Sequence, residues 1–152
     1  IAYVLEGVGT SIFGSDISPV AVRATLANLD RADLLPAVTL SSGDLLAIDA
    51  PAPGGIMVSN PPYGERVSSD DELAAFYPLL GSALKRGFAG WNCYLLSADT
   101  RLPKLVRLTP SKRTPLFNGA LECRLYEFRM VAGTNRATEQ TQVAKQHPEP
   151  MG

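Results

Sequence analysis

The sequence predicts an α/β fold whose sheet is mostly parallel and finishes in a C-terminal antiparallel hairpin. Three observations carry that expectation. Short apolar runs alternate with amphipathic stretches over residues 11–97, the pattern of strands returned by helices. Helix signals stand between the runs: a cap in one place, a charge bias in another. Near the end, two runs are joined directly by a turn dipeptide, a connection too short for parallel neighbours.

Taken in order, Ser11-Ile12-Phe13-Gly14 reads as a buried strand ending at Asp16. Ser18 is a predicted N-cap with Pro19 at the first helical position. Val20, Ala24, Ala27 and Leu29 give that helix an apolar face as far as about Ala32. Ala37 to Ser41 is a second strand, followed by Gly43-Asp44, and Pro51 to Gly55 is a turn-rich link. Gly55-Ile56-Met57-Val58-Ser59 is a third strand, too short and too apolar to be expected at an exposed edge. Asp70, Asp71 and Glu72 load the start of a helix with negative charge, and Lys85 and Arg86 load its end, as the macrodipole favours. Pro78 predicts a kink or division near Tyr77. Asn92 to Ser97 is another strand and Pro103 to Leu108 a short helical turn. Arg113 to Phe117 and Leu121 to Val131 are two strands joined across Asn118-Gly119. From about Ala132 the chain turns polar and loses periodicity, and a disordered tail is expected over 132–152.

Composition narrows the function classes. The chain has 152 residues, 45% hydrophobic and 19% charged, with a formal net charge of −1. That suits one domain and excludes a chain disordered throughout. No run approaches the ~18 apolar residues of a membrane span, and no basic-then-apolar secretory signal opens the chain. Cys93 and Cys123 are far apart and His147 stands in the polar tail, so no metal site is expected. The two cysteines read as structural thiols of a cytoplasmic protein, a disulfide requiring that their strands be neighbours with suitable geometry. The chain opens Ile1-Ala2-Tyr3-Val4-Leu5, without Met, and is read as a piece of something larger.

The chemistry concentrates in Asn60-Pro61-Pro62-Tyr63, directly after the third strand. In an open parallel sheet, ligands bind beyond the carboxyl ends of strands. A four-residue match at ~5% per position arises by chance in roughly one such chain per thousand. The plain alternative is a rigid turn. An exocyclic amine on a planar ring is a poor nucleophile because its lone pair is delocalised. The Asn60 side-chain oxygen and the Pro61 carbonyl can each accept a hydrogen bond from such an amine. Pro62 stiffens the loop, so both acceptors stay aimed at a nitrogen that gains positive charge as it attacks a methyl donor. Tyr63 can stack on a base held outside its helix.

Asn60-Pro61-Pro62-Tyr63 with the extension Gly64-Glu65-Arg66 resembles the bacterial 23S rRNA guanine-N2 methyltransferases, whose upstream region carries a THUMP RNA-binding domain. The four-residue motif alone is shared with adenine-N6 and protein glutamine methyltransferases; the extension is narrower. Gly14-Ser15-Asp16-Ile17-Ser18-Pro19 and Leu116-Phe117-Asn118-Gly119-Ala120-Leu121-Glu122-Cys123-Arg124-Leu125 resemble the same family, so the likeness reaches about Val131. It implies a Rossmann-like class I methyltransferase sheet and S-adenosylmethionine as cofactor. Asp16 matches the acidic residue holding the cofactor ribose, the alternative being a helix cap, and Ile17 would pack on the adenine. Asp44 matches the residue contacting the adenine amino group, the alternative being a turn aspartate. Asn60, Pro61, Pro62 and Tyr63 match the target-base site, with Asn60 also bordering the cofactor. Glu65 and Arg66 order the loop or contact RNA.

A glycine-rich loop after the first strand of this family should open a helix that returns the chain to the sheet. Gly7-Val8-Gly9 is followed almost at once by the strand at Ser11, so it reads as linker. Ile1–Leu5 then reads as the remnant of a preceding helix, and the first strand, its glycine loop and the RNA-binding domain are expected upstream. On that reading residues 1–131 are a partial catalytic domain, inactive alone. Net charge near zero argues against strong nonspecific nucleic-acid binding. Between Thr100 and Leu121, however, Arg101, Lys104, Arg107, Lys112 and Arg113 stand without an acidic residue, a cluster suited to phosphates or simply a solvated basic face. The expected partner is 23S rRNA or a large-subunit precursor, with no membrane. The other readings are methylation of adenine N6, tRNA guanine or protein glutamine, and a noncatalytic RNA-binding module.

Overall fold

A computed structural model describes residues 11–61 and 70–132 of the chain. Its first unit is β1 (Ile12–Asp16), α1 (Pro19–Arg31) and β2 (Val38–Ser42), with a 3-10 turn at Leu35–Ala37. The Ser18 hydroxyl accepts the Ala21 amide at 3.3 Å, capping α1, and Pro19 sits in the first turn, where its missing N–H costs nothing. Parallel strands need a crossover, and α1 supplies it: β1 and β2 pair in parallel with Asp16 opposite Ser42.

The second unit comprises β3 (Gly55–Ser59), α2 (Asp70–Gly87), β4 (Trp91–Ser97), α3 (Leu102–Val106), β5 (Lys112–Asn118) and β6 (Leu121–Arg129). Its sheet runs in the order β3-β4-β6-β5, with β3 and β4 parallel and β6 antiparallel to both of its neighbours. Only β6 is reversed, so the expected mostly parallel sheet with a terminal antiparallel hairpin is what forms. The turn is displaced by one residue from the expected one. Asn118 pairs with Leu121, leaving Gly119-Ala120 at the centre, and Gly119 takes φ +63°. A positive φ at the first central position is the need that glycine meets in II′-type hairpin turns.

The core lies between α2 and one face of this sheet. Leu73, Tyr77, Leu80 and Leu84 recur at helical spacing on α2 and are buried against Cys93 and Leu95 of β4 and Tyr126 and Phe128 of β6. Leu102 and Val106 of α3 close the same core. Residue 81 must be glycine for α3 to come this near: a Cβ there would lie 1.9 Å from the Val106 carbonyl oxygen. α2 continues unbroken through Pro78 rather than dividing near Tyr77.

Residues 43–50 tie the two units together. The Ala50 amide donates to the Gly87 carbonyl at 2.9 Å, and Arg86 Nη2 donates to the Leu46 carbonyl at 2.6 Å. Leu45, Leu46, Ile48 and Ala50 pack against the core. The Trp91 indole N–H reaches the Ala52 carbonyl at 2.8 Å and pins the following turn.

Three expectations about burial are corrected. β1, read as a buried strand, has Ile12 and Phe13 49% and 50% exposed. α1 fully buries none of its residues; Val20, Ala24 and Ala27 are exposed, and of the face read as apolar Leu29 alone is half-buried, beside Ala21 and Val22, which the reading did not include. β3 is an edge strand among the described residues, with β4 its one partner, and Ile56 and Val58 are 67% and 69% exposed. An apolar run demands burial, but nothing local in the sequence says which neighbour provides it. Cys93 and Cys123 are buried free thiols, and burial pushes the Cys93 thiol up to about 12. Their strands are neighbours, but Cys93 faces Phe128, five residues along β6 from Cys123, roughly 17 Å at strand rise. Ile1–Leu5, Gly7 and Gly9, and the tail from residue 133 with His147, lie outside the described residues.

Candidate active site

Asp16 closes β1, and the chain turns there because its carboxylate Oδ1 accepts the Ser18 amide at 2.8 Å. The cap of α1 is Ser18, not Asp16: one Asp16 oxygen turns the chain into the helix, while Oδ2 is without a partner among the described residues. Ile17, beside it, is 71% exposed, an apolar surface held out at the strand end.

Asp44 is brought to the same rim by the β1–β2 pairing. The Gly43 amide donates to the Asp16 carbonyl at 3.0 Å, which sets residues 43 and 44 directly beyond the β1 terminus. Asp44 is used twice in its own turn: Oδ1 accepts the Leu46 amide at 2.9 Å, and its carbonyl accepts the Ala47 and Ile48 amides. As at Asp16, the second carboxylate oxygen is unengaged among the described residues. Two acceptors on one rim, next to an exposed apolar side chain, fit a ligand that carries hydroxyl or amino donors on a flat ring.

Asn60 follows β3 directly and is exposed, while Pro61 is buried. The proline anchors the chain, and the carboxamide before it is presented to solvent at the carboxyl end of a parallel strand. Pro62, Tyr63, Glu65 and Arg66 lie outside the described residues.

The five cations between Thr100 and Leu121 do not form one group. Arg101 is committed to Asp99, with its Nη2 2.9 Å from Oδ2 and its backbone amide 2.8 Å from Oδ1. That guanidinium holds the Asp99 carboxyl below the usual carboxylate range. Lys112 is opposite Glu127 in the β5–β6 ladder and Arg113 opposite Tyr126, so the two point to different faces. Lys104, Arg107 and Arg113 line one open cavity of about 320 Å³. No group of three metal-ligating side chains occurs among the described residues, and no described helix is long and apolar enough to cross a membrane.

Residues 4–127 match UPF0020, the RMKL-like methyltransferase domain. The chain belongs to this family. A curated relative, the ribosomal RNA large subunit methyltransferase K/L of Shewanella baltica strain OS155, is 36% identical over 124 residues, which is 82% of this chain. Those residues are 18% of the relative, so the chain spans about a fifth of the length of the curated proteins it matches. Among solved structures, the SMU.472 methyltransferase candidate complexed with SAH superposes with a TM-score of 0.76 at 27% identity, over 82% of this chain and 33% of that one. A possible methylase of Clostridium difficile 630 superposes at 0.75 with 23% identity, over 84% and 34%, a likeness of fold. As a member of the RMKL-like family, the chain thus carries the α/β architecture of methyltransferases, with Asp16, Asp44 and Asn60 all at carboxyl ends of parallel strands or just beyond them.

Proposed function

We propose that this chain is part of an S-adenosylmethionine-dependent methyltransferase that modifies the exocyclic N2 amine of a guanine in 23S rRNA. The observation that carries the reading is Asn60, exposed at the carboxyl end of β3 on a buried proline, within a methyltransferase-family domain. The ribosomal RNA methyltransferase K/L relatives support RNA as substrate, and the SAH bound in the SMU.472 structure supports the cofactor. Asp16 Oδ2 suits the ribose hydroxyls, Ile17 the adenine face and Asp44 Oδ2 an amino donor.

S-adenosylmethionine supplies an electrophilic methyl carbon on a sulfonium. The Asn60 carboxamide oxygen and the Pro61 carbonyl accept the two N–H bonds of the guanine amine and aim its lone pair at that carbon. The bound cofactor would supply the methyl carbon to that nitrogen, and the electrons of the C–S bond given up would stay on its sulfur. The two acceptors carry the growing positive charge until the nitrogen gives one proton to solvent. Neither a metal nor a general base of shifted pKa is called for.

The uncovered edges of β1 and β3 belong to the same reading. Ile12 and Phe13 on β1 and Ile56 and Val58 on β3 are exposed apolar side chains on strands that each have one partner among the described residues. Polypeptide beyond those residues completes the sheet and the cofactor pocket there. Labelled methyl from S-adenosylmethionine, offered with the full-length polypeptide to 23S rRNA, tRNA, DNA and protein, tests the substrate. Label in 23S rRNA recovered as N2-methylguanosine supports the reading; label in N6-methyladenosine, in tRNA or in glutamine replaces it with the corresponding alternative.

A further inference from the structure

Three arginines of the second unit are paired: Arg101 with Asp99, Arg124 with Glu122 and Arg129 with Glu127. Lys104, Arg107 and Arg113 differ. They have no carboxylate within ion-pair distance among the described residues, and all three line one cavity of about 320 Å³ walled by Leu108 and Pro110. They come from separate pieces of structure: Lys104 from α3, Arg107 from its C-cap and Arg113 from β5. Arg107 stands at φ +57°, a left-handed position that favours glycine or asparagine. Three cationic residues lining one cavity, with no ion-paired carboxylate among the described residues, make it a place where an anion is favoured.

A second feature lies along the same strand. Successive strand residues alternate faces, so Arg113, Pro115 and Phe117 share one face of β5, and Phe117 is 72% exposed. Its ring is roughly 13 Å along the strand from Arg113 at ordinary strand rise. Arg113 is level with Tyr126, Tyr126 with Leu95 and Leu95 with Ser59, the residue before Asn60. Three strand spacings place the cavity about 14 Å across the sheet from the target-base motif.

We propose that Lys104, Arg107 and Arg113 hold a backbone phosphate of single-stranded RNA next to the target nucleotide, and that a neighbouring base stacks on Phe117. A cationic groove paired with an exposed aromatic ring is the arrangement that tracks single strands without reading their sequence. Commitment to RNA rests on the function proposed above; charge complementarity alone requires an anion. The site divides the basic cluster: Arg101, bound to Asp99, and Lys112, on the other face, are excluded from it.

The test is binding of a short fluorescein-labelled oligoadenylate to the full-length polypeptide, followed by anisotropy between about 50 and 200 mM salt. In a Lys104→Gln/Arg107→Asn/Arg113→Gln variant the slope of log Kobs against log salt should flatten by roughly 0.7 for each phosphate no longer neutralised. Phe117→Ala should weaken binding roughly five- to hundredfold with the slope unchanged. Lys112→Gln should leave both alone. Arg113→Gln alone, on the exposed edge strand, shows the slope change should the triple variant fold poorly. A triple variant with the parental slope overturns the proposal, as does an equal effect of Lys112→Gln or competition by inorganic phosphate as effective as by RNA. Methyl transfer is read separately: a parent that shows the pocket-dependent slope but methylates no RNA refutes the proposed reaction and leaves the site standing.

Discussion

The backbone amide of Gly43, one residue past the end of β2, donates to the carbonyl of Asp16, the last residue of β1, at 3.0 Å. That contact carries the strand pairing past its end and places the Asp16 and Asp44 carboxylates on a common rim. Sheet register thus sets Asp16 and the start of the next loop, and the turn at Asp44 fixes the second candidate group.

Asp16→Asn should therefore weaken cofactor binding without disturbing the fold. The amide oxygen can still accept the Ser18 N–H, but the charge and the second acceptor are removed. Hydrogen bonds to a charged group contribute about 1.5–3 kcal/mol, so the dissociation constant for S-adenosylhomocysteine should rise roughly ten- to hundredfold. Calorimetry on the full-length polypeptide measures this, with the melting temperature as control. An unchanged affinity removes Asp16 from the pocket.

The 152-residue chain by itself should bind S-adenosylmethionine weakly or not at all, because β1 and β3 both present open edges among the described residues. Calorimetry showing the isolated chain to bind as tightly as the full-length polypeptide would contradict a pocket completed from outside.

Gly81→Ala should destabilise, against the usual sign. In an unobstructed helix interior this change stabilises by roughly 0.5–1 kcal/mol. Here the new methyl meets backbone, 1.9 Å from the Val106 carbonyl oxygen, so α3 must shift, at a cost of about 1–3 kcal/mol. Urea unfolding decides the sign, and a stabilised variant would show that α2 and α3 do not approach so closely.

The Asp99–Arg101 pair should be visible as a pH dependence. The guanidinium lowers the Asp99 pKa, so the folded state binds this proton less readily than the unfolded one. Its stabilising contribution is complete above the ordinary carboxylate range and fades as pH falls through the depressed folded value. Arg101→Gln should move the Asp99 titration up, toward the unperturbed pKa of about 3.9, and flatten the acid limb of stability. Carboxyl NMR shifts during an acid titration follow this directly; identical Asp99 curves in the two proteins would mean the pair is not formed in solution.

How far the sequence carried depended on the range of the interaction. Ser18 with Pro19, the helical spacing of Leu73, Tyr77, Leu80 and Leu84, and the boundaries of β3 are written in neighbouring residues and were legible. The hairpin was legible but its centre was not, because Asn118-Gly119 and Gly119-Ala120 both offer a glycine and only the pairing of Asn118 with Leu121 decides. The exposure of Ile56, Val58 and Val20 was illegible: pattern shows which side chains want cover, not whether a neighbour provides it. In the basic cluster, the acid-free stretch begins at Thr100, one residue past the Asp99 that takes Arg101. Alternation along β5 already separates Lys112 from Arg113. Arg107 joins the cavity through a left-handed cap, which nothing short of the backbone reveals.

The central claim is that the exposed Asn60 carboxamide orients the amine that is methylated. The most direct measurement is transfer of labelled methyl to 23S rRNA by the full-length polypeptide and its Asn60→Ala variant, at saturating S-adenosylmethionine and with matched melting temperatures. Loss of one such transition-state hydrogen bond costs about 2.7–4 kcal/mol, so the variant should retain roughly a hundredth to a thousandth of the parental kcat with cofactor affinity little changed. A variant that methylates at the parental rate would contradict the account and move the active site elsewhere.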